Sequence, residues 1–189
     1  KEPNNKLFNY LYKKGIPILL ACGRLVKEKD YFTLLKTAVS LKDKGTIFHL
    51  FILGDGPLKK EISKSIKQLN LNNEITLLGS VENPYAFISK ADLFLLSSIK
   101  EGLPGVLIQA LLCKTPIIST NCKYGPSEIL CKGKYGTLVK VKDFNSMANE
   151  ISNQLIIPKK INTEEIIEKY NIVNIVERYL EIIHSYPTS

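Results

Sequence analysis

Short apolar, β-branched runs alternate along most of this chain with longer segments whose apolar residues recur at helical spacing, and that alternation leaves few folds open. Successive strands separated by helices favour a parallel sheet, because parallel neighbours need a crossover connection and a helix supplies it. The run "IPILLACG" (16–23) predicts the first strand. In "DYFTLLKTAVSLKDKG" (30–45), Phe32, Leu35, Val39 and Leu41 stand near helical spacing and Gly45 closes the segment. "FHLFILG" (48–54) is apolar at successive positions, as a strand covered on both faces must be. After "GDGP" a helix is predicted over about 57–69, and "EITLLGSV" (74–81), "DLFLLSS" (92–98), "PIIST" (116–120) and "GTLVKV" (136–141) supply the later strands. Six strands with crossover helices predict an α/β, Rossmann-like domain with a six-stranded parallel sheet and helices on both faces.

The expected organisation is a linker and N-terminal helix over 1–15, a Rossmann-like domain over 16–157, and C-terminal helices over 158–189. Asp143 or Asn145 can cap the helix in "DFNSMANEISNQL". Beyond Pro158, Ile166, Ile167, Tyr170, Ile175, Val176, Tyr179, Leu180 and Ile183 form a stripe that needs a packing partner. The 189 residues suit one domain with a short appendage. The first fifteen residues lack the apolar core and cleavage site of a signal peptide, and read as a start inside a longer protein. No apolar run approaches the ~20 residues that span a bilayer.

Cys22, Cys113, Cys122 and Cys131 form no CxxC pair and have no neighbouring His cluster, which favours reduced thiols in a cytoplasmic protein over zinc or disulfides. The formal net charge is +8, but the lysines are spread along the chain without an Arg-rich stripe or a base-stacking motif. Nucleic acid is therefore excluded as a partner, and an anionic membrane surface on the inner face remains as a secondary one.

In an open parallel sheet, ligands bind beyond the carboxyl ends of the strands. The residues there are Gly23-Arg24, Gly54-Asp55-Gly56, Gly79-Ser80-Val81, the 99–105 loop and Asn121. In "SSIKEGLPGVLIQALLCKTPIIST" (97–120) a helix opens near Gly105. Its unpaired N–H groups and its dipole make a phosphate site, which places Gly102, Leu103, Pro104 and Gly105 around the anion. Pro104 suits the first helical turn, where a missing N–H costs nothing. Arg24 and Lys29 would add positive charge, the Arg as a bidentate fork and the Lys as a mobile point charge. Glu101 at the strand end and Gln109 one turn into the helix offer hydrogen bonds to hydroxyls. A phosphate cradle flanked by such groups suggests a nucleotide-sugar. Asp55 reads as a turn and cap residue, His49 as a mid-strand core histidine, and Tyr85 and Phe87 as core or cleft wall. Neither His49 nor His184 has the neighbours of a catalytic triad.

Taken in order, "GRLVKEK" (23–29), "GDGP" (54–57), "KADLFLLSS" (90–98), "EGLPGVLIQALLCKTPIIST" (101–120) and "YGPSEIL" (124–130) resemble the carboxyl-terminal, donor-binding domain of glycosyltransferase family 4, retaining enzymes of the two-domain GT-B fold. The resemblance implies that Arg24 and Lys29 grip the donor diphosphate, that Glu101 lies beside the donor sugar and reaction centre, and that Gly23, Gly54 and Val81 approach the nucleotide. Gln109 stands where the family has a second glutamate for the ribose hydroxyls. Gln keeps an acceptor but loses the charge, at a cost of ~1 kcal/mol and up to twice that for the charged partner. Gly105 stands where many members have Asn. The donor implied is a UDP- or GDP-sugar, with no metal and no cofactor. The partner implied is an acceptor-binding amino-terminal domain of the same protein, with a polysaccharide or glycolipid as acceptor. Alone, the fragment is expected to bind donor weakly and transfer nothing. Two alternatives use the same residues: a non-catalytic nucleotide-sugar-binding module, and a sugar-nucleotide epimerase or phosphorylase. The latter need acid–base residues or a cofactor lysine, for which the sequence has no motif.

Overall fold

A computed structural model describes residues 3–158 of the chain. Strands β1 (Ile18–Cys22), β2 (His49–Leu53), β3 (Ile75–Gly79), β4 (Leu93–Leu96), β5 (Ile117–Thr120) and β6 (Thr137–Val139) form a single sheet in the order β3-β2-β1-β4-β5-β6. Every neighbouring pair is parallel, with Leu20 opposite both Phe51 and Phe94 at the centre. The order reverses direction between β1 and β4, so the chain outward from those two strands borders the crevice where such sheets take ligands.

The alternation of side chains along a strand divides the core in two. Leu19, Ala21, Leu50, Ile52, Leu93 and Leu95 face helices α2 (Tyr31–Asp43), α3 (Lys59–Gln68) and α7 (Phe144–Ile156). Their neighbours Ile18, Leu20, Phe51, Leu53, Phe94 and Leu96 face α1 (Lys6–Lys13), α4 (Pro84–Ile88), α5 (Gly105–Leu112) and α6 (Pro126–Ile129). Both faces are buried, which is why the strands read as unbroken apolar runs.

Helix α1 is tied down from its first turn. Asn5 Oδ1 accepts a hydrogen bond from the Phe8 N–H at 2.9 Å, and the fully buried Phe8 ring stands 5.0 Å from both Phe51 and Phe87. Burying that side chain contributes about 2–3 kcal/mol. Of the two candidate caps for α7, Asp143 fills the role, with Oδ1 accepting from the Ser146 N–H at 2.9 Å. The segment expected as C-terminal helices lies, beyond Pro158, outside the described residues.

His49 opens β2 rather than sitting at its middle, and it is a core residue as expected. Its Nε2 pairs with Thr76 Oγ1 at 2.9 Å. Burial pushes its pKa below the ordinary imidazole value, against smaller opposing effects of the Asn73 backbone and the Glu74 charge. The unfolded chain therefore takes up a proton that the folded chain refuses once the pH falls below about 6.5. Stability should fall with pH in that window by up to about 1.4 kcal/mol per unit from this residue. Urea unfolding at pH 7.5 and 5.5 checks this, since His49→Gln should show a shallower loss than the parent chain.

Candidate functional site

The glycines beyond the strands are placed by the backbone of their neighbours. The N–H of Gly23 donates to the Leu53 carbonyl at 3.0 Å and that of Gly54 to the Gly79 carbonyl at 2.7 Å. Leu25 then makes two hydrogen bonds to the chain at the "GDGP" turn, from its N–H to the Asp55 carbonyl and from the N–H of Leu58, the residue after the turn, to its own carbonyl. A Cβ on Gly54 would stand 2.0 Å from the Gly23 carbonyl oxygen, and one on Gly56 would stand 2.5 Å from that of Leu25. The space left at Gly54 and Gly56 is thus filled by the β1–α2 loop. Asp55 is a turn residue as expected but not a cap: its Oδ1 accepts from the Gly56 N–H and its Oδ2 pairs with Lys59, while Leu58 holds the N-cap position of α3 and no side chain caps it.

The loop so fixed carries Arg24 and Lys29. Arg24 is exposed and makes no ion pair among the described residues, leaving its guanidinium open to a ligand there. Lys29 ends a single 3-10 turn, Lys27–Lys29, that is tied to the chain leaving β4. Ser97 Oγ donates to the Lys29 carbonyl at 2.8 Å, and the Ile99 N–H donates to the Glu28 carbonyl at 2.8 Å. These bonds bring together residues 72 apart in sequence: Lys29 Nζ lies 2.6 Å from Glu101 Oε1. The pair is largely withdrawn from solvent, with 19% of the Lys29 side chain and 8% of the Glu101 side chain exposed. Ser98 Oγ donates to the same carboxylate oxygen at 2.5 Å, and Thr120 Oγ1 holds the Ser98 carbonyl at 2.6 Å. The whole arrangement is anchored on the ends of β4 and β5.

Tyr31 backs this cluster, its hydroxyl donating to the Gly23 carbonyl at 3.0 Å. Burial, with the neighbouring Cys22 and Glu101, raises its pKa far above the ordinary phenol value, so it remains a fixed donor. Burial also pushes up the thiols of Cys22 and Cys122, the latter further raised by the Glu101 charge. All four cysteines are free thiols. Among the described residues, no three His, Cys, Asp or Glu side chains converge on a point that would hold a metal ion.

Past Glu101 the chain turns into α5. Pro104 is the residue before the helix, with φ −73° and ψ 84°, rather than part of its first turn as expected. Its carbonyl accepts from the Leu107 N–H at 2.9 Å, and no side chain caps the N-terminus. Gly102, Leu103 and Gly105 are exposed, and a Cβ on Gly105 would meet nothing within 4 Å. Gln109, one turn in, is half-buried. Gly125, from the loop after β5, packs behind Pro104. Val81 is half-buried beyond β3 and lines a cleft of about 470 Å³ with Asn4, Asn5, Ser80, Glu82 and Asn83. Phe87 is core and Tyr85 is exposed.

The structure thus brings Lys29 and Glu101 together just ahead of the N-terminus of α5, with the exposed Arg24 earlier in the same β1–α2 loop, while Val81 lies beyond β3 at the edge of the sheet. Sequence reasoning missed Ser98, Tyr31 and Gly125. A hydroxyl three residues before a strand-end carboxylate was the available signal for Ser98.

A parallel sheet of this order, with an uncapped helix and basic side chains at its reversal point, defines the class as a Rossmann-like domain with an anion-receptive corner. The model of the family "Glycosyl transferases group 1" matches residues 4–176, and the chain belongs to that family. It is 38% identical over 152 residues to an uncharacterised glycosyltransferase of Methanocaldococcus jannaschii, covering 74% of this chain and 37% of that protein. It is 37% identical over 137 residues to the N-acetylgalactosamine-N,N'-diacetylbacillosaminyl-diphospho-undecaprenol 4-alpha-N-acetylgalactosaminyltransferase of Campylobacter jejuni, covering 72% of this chain and 37% of that protein. A mutant of Staphylococcus aureus TarM, solved with fondaparinux, alpha-GlcNAc-glycerol and UDP, superposes with a TM-score of 0.81 at 26% identity, over 98% of this chain and 37% of that one. The chain spans little more than a third of the length of these relatives.

Proposed function

We propose that this chain is the donor-binding half of a retaining glycosyltransferase that moves a sugar from a nucleoside diphosphate to a polysaccharide or glycolipid acceptor. The observation that carries the reading is the meeting of Lys29 and Glu101 at 2.6 Å beside the uncapped N-terminus of α5. Arg24, Lys29 and the helix N-terminus would take the diphosphate, and Gln109 the ribose hydroxyls. The cleft at Val81 suits the base in size and polarity. Two likenesses favour an N-acetylated hexose on UDP: the UDP of the TarM complex, and the N-acetylgalactosaminyl transfer named for the Campylobacter relative.

In this reading the anomeric C–O bond breaks toward the diphosphate, whose growing charge falls on Arg24, Lys29 and the α5 N–H groups. Such fixed charges contribute several kcal/mol to similar reactions. The acceptor hydroxyl attacks on the face the diphosphate leaves and gives its proton to the departing phosphate oxygen, so the configuration is retained. Glu101, tethered through Oε1, has Oε2 left for the sugar hydroxyls. The acceptor is held by an amino-terminal domain across the cleft, on the cytoplasmic side of a membrane.

Calorimetric titration with UDP, GDP and ADP tests the donor site. Arg24→Ala should weaken binding of the preferred nucleotide by about 10- to 100-fold, the scale of a charged hydrogen-bonded contact. Gln109→Glu should strengthen it by roughly 5- to 30-fold, because the second carboxylate oxygen completes the reception of the ribose diol. If no nucleotide binds at millimolar concentration, either to this chain or to the full-length protein, the reading fails.

A further inference from the structure

Lys29 is the lysine placed to meet a diphosphate, yet its ammonium is already held. Its Nζ lies 2.6 Å from Glu101 Oε1, and the same oxygen receives the Ser98 hydroxyl at 2.5 Å. The pair is charge-neutral, so the positive charge that draws an anion to this corner comes from Arg24 and the α5 N-terminus. An arriving diphosphate meets a lysine it must share and a carboxylate that repels it at close range, in surroundings that screen charge less than bulk water does. Glu101 is not free to retreat. Ser98 is fully buried, its carbonyl is held by Thr120, and its hydroxyl keeps Oε1 where it is.

We propose that Glu101 and the donor's diphosphate compete for Lys29, with Ser98 keeping the carboxylate in place as the lysine turns to the phosphate. This rests on the donor-site reading above and adds a consequence to it. A free nucleoside diphosphate carries one more ionisable phosphate oxygen than its sugar ester, so a tethered carboxylate at this point penalises the departing product more than the incoming donor. Glu101 is then a specificity-determining residue for donor over product, in addition to its place beside the sugar. Ser98 is a positioning residue acting through it.

The test is a cycle of UDP titrations on the parent chain, Glu101→Gln, Lys29→Ala and the double variant. Gln keeps an oxygen for Ser98 and removes the charge, its second oxygen becoming an NH2 donor. Competition predicts that Glu101→Gln binds UDP about tenfold more tightly and Lys29→Ala more weakly. In the Lys29→Ala background the same Glu101→Gln change should gain clearly less, about twofold to threefold, since only the carboxylate's repulsion is relieved and there is no lysine left to release. UMP, with its single phosphate, should show a smaller gain in Glu101→Gln.

Unchanged or weaker UDP binding by Glu101→Gln overturns the proposal, and so does a gain of equal size with and without Lys29, which would be plain repulsion with no competition for the lysine. If UDP, GDP and ADP fail with every variant, the donor-site reading falls first and the competition with it. A measurement without substitutions guards against misfolding of the variants. The ¹³C carboxyl resonance of Glu101 in the parent chain should shift when UDP is added, as the ammonium leaves. A resonance that stays put at saturating UDP sinks the competition while leaving the donor site standing.

Discussion

Replacing Gly54 with alanine should lower stability by about 3–5 kcal/mol, the largest effect expected of any single methyl group in this domain. The added Cβ would stand 2.0 Å from the Gly23 carbonyl oxygen and 2.9 Å from its carbonyl carbon, both backbone atoms with no rotamer to escape into. The conformation is unfavourable for any L side chain as well, with φ at +128°. Relief would require the outgoing ends of β1 and β2 to part, and with them the hydrogen bonds from Gly23 to Leu53 and from Gly54 to Gly79. Gly45 provides the control. Its φ of +72° is also left-handed, but a Cβ there meets nothing within 4 Å. Gly45→Ala should therefore cost only about 1–2 kcal/mol, the penalty of the conformation alone. Urea unfolding of the two variants separates crowding from conformational strain, and equal losses would reject the account.

The six strands, their parallel order and the burial of both sheet faces follow from the alternation of apolar runs with helical spacing, and the structure has them all. The strand ends "ACGR" and "FILGDG" are also legible as the carboxyl edge of the sheet, where sheets of this kind take ligands. The glycines in them, however, serve close contact of two protein loops, and that contact depends on the lateral position of β1 beside β2. Nothing in the residues of either loop states it. Lys29 and Glu101 were each legible as polar residues at strand ends, but their 2.6 Å contact was not. It depends on the 3-10 turn that Ser97 and Ile99 pin to the chain leaving β4. Ser98 was overlooked for a related reason. It reads as the last residue of an apolar strand, and its hydroxyl gains a role only because the chain after β4 folds back over it.

Gly125 joins fold and site most directly, and Gly125→Ala should damage both. With φ at 86° and ψ at −69°, it occupies backbone space that alanine enters only under strain. A Cβ there would lie 2.4 Å from Pro104 Cδ and 2.7 Å from the Gly102 carbonyl oxygen. The proline ring is rigid and the carbonyl is backbone, so the 102–104 segment itself must move outward. A stability loss of about 2–4 kcal/mol is expected from strain and crowding together. The sharper consequence is local. The 102–104 segment leads into the N-terminus of α5, whose uncapped N–H groups are the proposed phosphate cradle, and an anion site of that kind weakens steeply when its donors shift by an ångström. UDP affinity should therefore fall by more than tenfold, even well below the midpoint of thermal unfolding. Gly133→Ala is the matched comparison, because its φ of +99° imposes conformational strain while a Cβ there meets nothing within 4 Å. It should lose stability and keep its UDP affinity. Were Gly125→Ala to bind UDP as the parent chain does, the 102–105 segment would not be the diphosphate cradle, and the anion would have to rest on Arg24 and Lys29 alone.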